Sequence, residues 1–318
     1  MHVVILGGTG HVGTYLVPRL VAAGHEVTCL SRGRREPYSP HVAWSQVQQV
    51  EVDRKTEEAE GSFGRRVRDL KPDAVIDMIC FTRNSARQLI EALQGDVQQF
   101  LMCGTIWVHG YSVSVPTTED QPRYPFGDYG VQKEQIECYL LEQSRKHGFP
   151  ATMLHPGHIV GVGWQPLNPA GNFNPQVFSR LARGEELVLP NFGLETVHHV
   201  HADDVAQAFE LSLSHWSTAV GESFHVVSPA AVTLRGYAEA VARWFGRPAN
   251  LSFAPWEKWR QGVAEEDAEQ TLEHITHSPN CSIDKAHRLL GYTPRYTSLQ
   301  AVFESLSWLV SQGIVETA

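Results

Sequence analysis

The sequence predicts an α/β fold, a doubly wound parallel sheet with a smaller C-terminal α/β part, and three observations carry that prediction. The chain opens on Val3-Val4-Ile5-Leu6, too short and too β-branched for a helix, which fits a parallel strand buried on both faces. Gly7, Gly8, Gly10 and Gly13 follow, and a helical period starts at Thr14-Tyr15-Leu16-Val17. Beyond them, apolar runs of strand length alternate with segments of helical period, as right-handed βαβ units require.

Bulk properties narrow the function classes. At 318 residues there is room for two domains or one large α/β unit. The net charge of −9 disfavours a nucleic-acid surface. The five cysteines (Cys29, Cys80, Cys103, Cys138 and Cys281) form no CxxC pair, which suggests reduced thiols in the cytosol and no zinc-thiolate site. The N-terminus is already the first strand, leaving no room for a signal peptide, so a cytoplasmic location is expected. No apolar run approaches the roughly 18 residues a membrane span needs.

The glycine turn is where chemistry enters. Without side chains the backbone turns tightly and approaches a pyrophosphate closely, and the helix N-terminus offers free N–H groups to phosphate. Gly8-x-Gly10-x-x-Gly13 is the general dinucleotide spacing, and Gly7-x-x-Gly10-x-x-Gly13 overlays it. The first helix is expected over 12–23, closed by Gly24 as a left-handed cap. A second strand over 25–30 brings its tip to the adenosine ribose. An acidic residue there would select NAD, but this chain has Ser31-Arg32-Gly33-Arg34-Arg35. A hydroxyl and a guanidinium suit a 2′-phosphate, so NADP is expected, with NAD as second choice. Arg34 and Arg35 read as solvated loop charges. Further strands are expected over 47–52, 74–78 and 99–103, with helices over 63–70 and 84–93.

Tyr129-Gly130-Val131-Gln132-Lys133 places a tyrosine and a lysine at i and i+4, on one helix face. An ammonium beside a phenol favours the phenolate. At ~4 Å and an effective dielectric near 20 the pair is worth about 4 kcal/mol. That would bring the phenol toward the working range of a general acid/base. Thr105 lies 24 residues earlier, just past the C-terminal end of the fifth strand, the edge where doubly wound sheets bind ligands.

With these residues the chain resembles an extended short-chain dehydrogenase/reductase, of the NAD(P)-dependent epimerase/dehydratase family, with the Rossmann sheet that implies. The matching pieces are GGTGHVG, DAVIDM, CGTIWVHG, YGVQK, HPGHIVGVG, VHADDVAQA and LGYTPRY, in the family's order and over nearly the whole length. The resemblance implies that Thr105 hydrogen-bonds the substrate oxygen, that Tyr129 exchanges its proton, and that Lys133 holds the nicotinamide ribose and tunes Tyr129. Gly7, Thr9, Gly10, His11 and Val12 would line the pyrophosphate, with Asp53 and Arg54 by the adenine. Ile79 and Cys80 would pass under the cofactor, while Pro156, Gly157, His158 and Ile159 would approach the nicotinamide amide. Hydride transfer is then the cofactor's own chemistry.

Three departures shape the substrate expectation. His155 stands where the family often has arginine before the proline, Val197 approximately where nucleotide-sugar enzymes carry another, and His277-Ser278-Pro279-Asn280 where a third would precede Pro-Gly-Asp. Arginine forks are the usual grip on a diphosphate. Their absence points to a sugar, sugar acid or other small carbonyl or polyol without one. His198, His199 and His201 read as packing or substrate-contact residues, and no metal site is expected.

The irregular stretch from Trp164 to Asn191 is the kind of long loop that has a function. Trp164, Asn172 and Phe173 would offer a stacking face and amide hydrogen bonds, so Thr105, His158, Trp164 and Asn172 are the substrate-side candidates. The expected partition is a dinucleotide-binding unit over 1–163 and 196–222, and a substrate unit over 164–195 and 223–318. Family members often dimerise through the YxxxK helix and its neighbour, and apolar residues near 89–93 and 139–141 permit a homodimer. The competing class is a non-catalytic dinucleotide-binding regulator or RNA-associated protein. Retention of Thr105, Tyr129 and Lys133 together argues against it.

Overall fold

The computed structural model describes residues 1–317. In chain order the strands are β1 (His2–Leu6), β2 (Glu26–Ser31), β3 (Gln48–Glu51), β4 (Ala74–Asp77), β5 (Gln99–Cys103), β6 (Ala151–Pro156), β7 (His158–Val160), β8 (Leu187–Pro190), β9 (Thr196–Val197), β10 (His199–His201), β11 (Ser223–Val226), β12 (Val232–Thr233) and β13 (Leu251–Ala254). The helices are α1 (His11–Ala22), α2 (Arg54–Ala59), α3 (Phe63–Asp69), α4 (Arg83–Leu93), α5 (Gly127–His147), α6 (Gln176–Arg183), α7 (Ala202–Ser214), α8 (Trp216–Ala219), α9 (Leu234–Trp244), α10 (Trp256–Trp259), α11 (Glu265–Thr276), α12 (Asp284–Leu290) and α13 (Ser298–Ser311).

Seven parallel strands form the central sheet in the order β11-β6-β5-β4-β1-β2-β3. The apolar opening run behaves as its composition requires, because Val3, Val4, Ile5 and Leu6 are all fully buried. Alternate residues feed two different cores. Val3, Ile5, Ile76, Leu101 and Leu154 pack with α1 and α7, while Val4, Leu6, Val75, Phe100 and Met153 pack with α3, α4 and α5. The chain leaves β1 toward β2 and β3, then returns to β4 on the other side. That reversal opens the crevice at the C-terminal ends of β1 and β4.

A separate core joins α6, α9 and α13 to the short β8–β13 pair around Phe178, Tyr237 and Leu306. The expected partition is corrected at its C-terminal boundary. β11 is buried on both faces and pairs with β6, so 223–226 belong to the central sheet. Ala286, Leu290 and Tyr292 likewise return to the first core. A four-residue strand containing Ser223 and His225 gives too short an apolar signal to betray this from sequence.

The end of β4 is fastened by charge. Asp77 is fully buried, and Arg54 Nη1 donates to both its oxygens at 2.8 and 2.9 Å, while Arg54 Nε donates to Glu58 at 2.6 Å. Removing one partner of a buried pair strands the other charge, which typically costs about 3–5 kcal/mol. Asp77→Ala is therefore expected to lose about that much in urea denaturation, with a loss under 1 kcal/mol counting against this fastening role.

Candidate active site

The glycine turn has the geometry of a phosphate cradle. Gly7 adopts φ +88°, and a Cβ there would stand 2.7 Å from Ile79 Cγ2. A Cβ on Gly13 would lie 1.8 Å from the Gly8 carbonyl oxygen, so only glycine lets α1 pack against the turn. Gly10 is the N-cap of α1, and no side chain caps the helix. Thr9, His11 and Val12 are buried along this loop. A dinucleotide fits these residues: the first-turn N–H groups are left for an anion and no Cβ fills the approach.

His11 turns its ring away from that loop. It stacks on Trp164, with centroids 5.0 Å apart and planes at 6°, and meets Tyr38 at 5.2 Å. Burial, and then the nearby His201, lower its pKa to about 3. Trp164 thus covers the start of α1. Both aromatic partners needed the tertiary fold to be found.

At the adenosine end Ser31 closes β2 and its hydroxyl accepts from the Gly33 N–H at 3.2 Å. Arg32 is exposed beside it. Glu51 of β3 lies opposite Ser31 and approaches Gly33, an acid that sequence reasoning missed because it belongs to another strand. Asp53 caps α2 by accepting from the Thr56 N–H at 3.2 Å. Arg54 is committed to Asp77 and Glu58, so the expectation that its side chain attends the adenine is corrected. The buried carboxylate of Asp77 attracts the guanidinium more strongly than an exposed ring edge would.

The catalytic candidates do converge. Thr105 follows β5, and its hydroxyl accepts from the Trp107 N–H at 3.3 Å, which leaves its own O–H to donate. Tyr129 and Lys133 share one face of α5. The Lys133 ammonium is buried and donates to the Cys80 carbonyl at 2.8 Å and the Cys103 carbonyl at 3.0 Å, the loop after β4 and the end of β5. It stands 5.7 Å from the Tyr129 ring centroid. The expected lowering of the phenol by this lysine is corrected. Burial, and then Cys103, push Tyr129 up, while the Thr105 hydroxyl pulls the other way. The ring remains 38% exposed, so solvent screens part of that push. Carbonyl oxygens hold the lysine charge away from the phenol. Ile79 touches Gly7, and Cys80 is buried with its thiol pushed up to about 12 by desolvation and Asp77.

On the far side Pro156 ends β6, and a Cβ on Gly157 would lie 2.3 Å from the His198 carbonyl oxygen. His158 Nε2 is buried without a partner. Burial, followed by the surrounding histidines, lowers its pKa far below the ordinary value, so the ring is neutral. Asn172 is corrected as a substrate contact. It donates to Thr271 at 3.1 Å and accepts from Asn168 at 2.6 Å and from the Asn174 N–H, binding the insert to α11. In its place stands an aromatic wall in which Phe173 is expected from the sequence and Trp107, Phe126, His274 and His277 are not. Trp107 meets Tyr129 edge-on at 5.4 Å and stacks on His277 at 4.4 Å, His277 stacks on Phe126 at 3.8 Å, and Phe173 meets His274 at 5.1 Å. Val197 is buried in β9. His198, His199 and His201 each face a different partner, Ser228, Leu167 and Glu304.

Behind this wall His155, in the place of the expected arginine, lies 2.8 Å from Glu137, which Arg123 also holds at 2.6 Å. Burial alone would raise Glu137, but His155 and Arg123 hold it well below the carboxylate range.

A glycine cradle at a helix start lies at the crevice of a Rossmann sheet, with Thr105 past β5 and Tyr129 and Lys133 on α5 beside it. The NAD dependent epimerase/dehydratase family model matches residues 3–226, and the chain belongs to that family. It is an NAD(P)-dependent enzyme of the extended short-chain dehydrogenase/reductase type. It is 28% identical to 2′-dehydrokanamycin reductase of Streptomyces kanamyceticus, covering 100% of this chain and 87% of that one. It is 26% identical to the chloroplast stem-loop binding protein of 41 kDa b of Arabidopsis thaliana, covering 98% and 80%. Its fold matches the UDP-glucose 4-epimerase of Thermotoga maritima, solved with UDP-glucose, at TM-score 0.73 and 20% identity over 98% and 99% of the chains. Among the described residues no helix is long and apolar enough to cross a membrane.

The buried rings make stability pH-dependent. His11 and His199 are lowered to about 3 and His198 to about 4, chiefly by burial. The unfolded chain therefore binds protons below about pH 6.5 that the folded chain refuses, so stability is full above that pH and falls as pH drops toward 3–4. Each such histidine contributes a slope of at most about 1.4 kcal/mol per pH unit. Urea midpoints between pH 6.5 and 4.5 are expected to fall steeply, and His199→Gln to flatten the slope; an unchanged slope contradicts this reading.

Proposed function

We propose that this enzyme moves hydride at a hydroxyl- or carbonyl-bearing carbon of a sugar-derived small molecule without a diphosphate, with NADP as its preferred cofactor. The observation that carries the reading is the convergence of Thr105, Tyr129 and Lys133 at the ends of β4 and β5, beside the glycine cradle. The nicotinamide, when bound, supplies or accepts the hydride.

The chain's own groups do the remaining work. The Thr105 O–H, with its acceptor side held by Trp107, donates to the substrate oxygen as charge develops there. The raised pKa of Tyr129 keeps its phenol protonated, so it serves as the acid that delivers a proton to that oxygen in reduction. In the reverse direction it must release that proton, and the Thr105 hydroxyl is the neighbour that pulls its pKa down. Lys133 uses two of its three donors on the Cys80 and Cys103 carbonyls, leaving one for the ribose hydroxyls. Pro156 and the neutral His158 flank the nicotinamide end. The wall of Trp107, Phe126, Phe173 and His277 gives a sugar ring apolar faces rather than guanidinium forks. The resemblance to 2′-dehydrokanamycin reductase supports a carbonyl substrate free of nucleotide, whereas the epimerase likeness supports a redox-neutral cycle. Five free thiols among the described residues accord with a cytoplasmic location. The second reading, an RNA-associated protein, is favoured by the stem-loop binding relative and opposed by the charge of −9.

Denaturing the purified protein and weighing any released dinucleotide separates the cycles. Stoichiometric oxidised cofactor supports an epimerase, whereas an empty protein that binds NADPH reversibly supports a reductase. On the substrate so identified, Tyr129→Phe is expected to lower kcat about 10²–10⁴-fold with little change in KM; full activity overturns the assignment. Arg32→Ala is expected to weaken NADP far more than NAD, and Glu51→Gln to tighten NADP by relieving repulsion of the 2′-phosphate. Equal changes for both cofactors in titration calorimetry would refute the NADP preference.

A further inference from the structure

Three fully or almost fully buried histidines meet outside the site described above. His155 on β6 and His225 on β11 are register partners, and His109 reaches them from the turn after β5. One ring nitrogen from each lies within 4.8 Å of the others. His225 Nδ1 faces the Ser282 carbonyl at 3.1 Å, so Nδ1 carries the hydrogen and Nε2 keeps its lone pair. That Nε2 lies 2.7 Å from His109 Nε2, so without an ion the His109 Nε2–H donates to it, and a bound ion would replace that shared proton as the two rings part. His109 Nδ1 and His155 Nδ1 have no hydrogen-bond partner, although both are buried. The surrounding charges are two carboxylates and one guanidinium. Glu137 lies 2.8 Å from His155, Glu119 accepts from the His225 N–H at 2.8 Å, and Arg123 pairs with Glu137. Lys285 is turned to Glu222 and the Ser223 carbonyl.

We propose that His109, His155 and His225 form a buried binding site for a divalent cation of the zinc type, with Glu137 as the adjoining carboxylate. Imidazole nitrogens are the donor set for such ions and are poor ligands for magnesium or calcium. The Ser282 carbonyl on His225 is the outer partner that orients a ligating imidazole. The excess negative charge of Glu119 and Glu137 over Arg123 offsets part of the ion's charge. The ion would tie the end of β6, β11 and the turn that carries Thr105 into one rigid wall. It takes no part in hydride transfer, so the proposal stands or falls apart from the assignment of Tyr129.

The test uses the full-length protein without an affinity tag, stripped with chelator and titrated with Zn²⁺ and, separately, Co²⁺. One tight equivalent per chain is expected, with the visible d–d absorption of a nitrogen-rich, low-coordinate cobalt site. His225→Gln is expected to abolish that equivalent, while His198→Gln keeps it. Should His225→Gln fail to fold, anomalous diffraction at the zinc edge from wild-type crystals places the ion instead. A wild-type protein with no tight equivalent overturns the proposal and leaves a neutral hydrogen-bonded histidine network, as does a zinc peak elsewhere.

Discussion

The ammonium of Lys133, lodged between the Cys80 and Cys103 carbonyls, is the contact on which the site depends. A buried cation must be met by dipoles or charge, and the chain ends of two adjacent parallel strands supply the dipoles. That requirement fixes the rotation of α5 about its axis. Tyr129, one turn earlier, is then presented at the mouth of the crevice, and Glu137, one turn later, is carried inward to Arg123 and His155. The three residues stand at i, i+4 and i+8, so one face of one helix holds the phenol, the cation and the anchor.

Around this helix the fold divides its work. The sheet reversal between β1 and β4 provides the crevice, and the glycines keep its floor free of side chains. The irregular insert is held separately, where Asn168, Asn172 and Thr271 lock it onto α11. Residues that chemistry would nominate for binding are thereby used for construction. Asn172 and Arg54 are both such cases: each is polar, and each is satisfied by a buried partner before any ligand arrives.

Histidine is the unusual building material of this chain. Rings at 109, 155, 158, 198, 199, 201 and 225 are buried or nearly so, and most are held neutral by desolvation. Where related enzymes are expected to carry arginine, His277 stacks between Trp107 and Phe126, and His155 is turned to Glu137.

The sequence by itself determined the first βα unit, where along the chain the strands up to β5 fall, the YxxxK face and the Thr105 position. Each of these is written in contiguous residues, as a period of apolar side chains or a glycine spacing that the backbone must obey. Only the tertiary structure decided that β11 joins the sheet, that Trp164 covers His11, that Glu51 faces the tip of β2, and that Arg54 belongs to Asp77. Those are pairings between residues distant in the chain, settled by which buried charge or ring finds a partner once the strands are in register. The sequence shows the side chains that could act; packing decides which of them are left unpaired to do so.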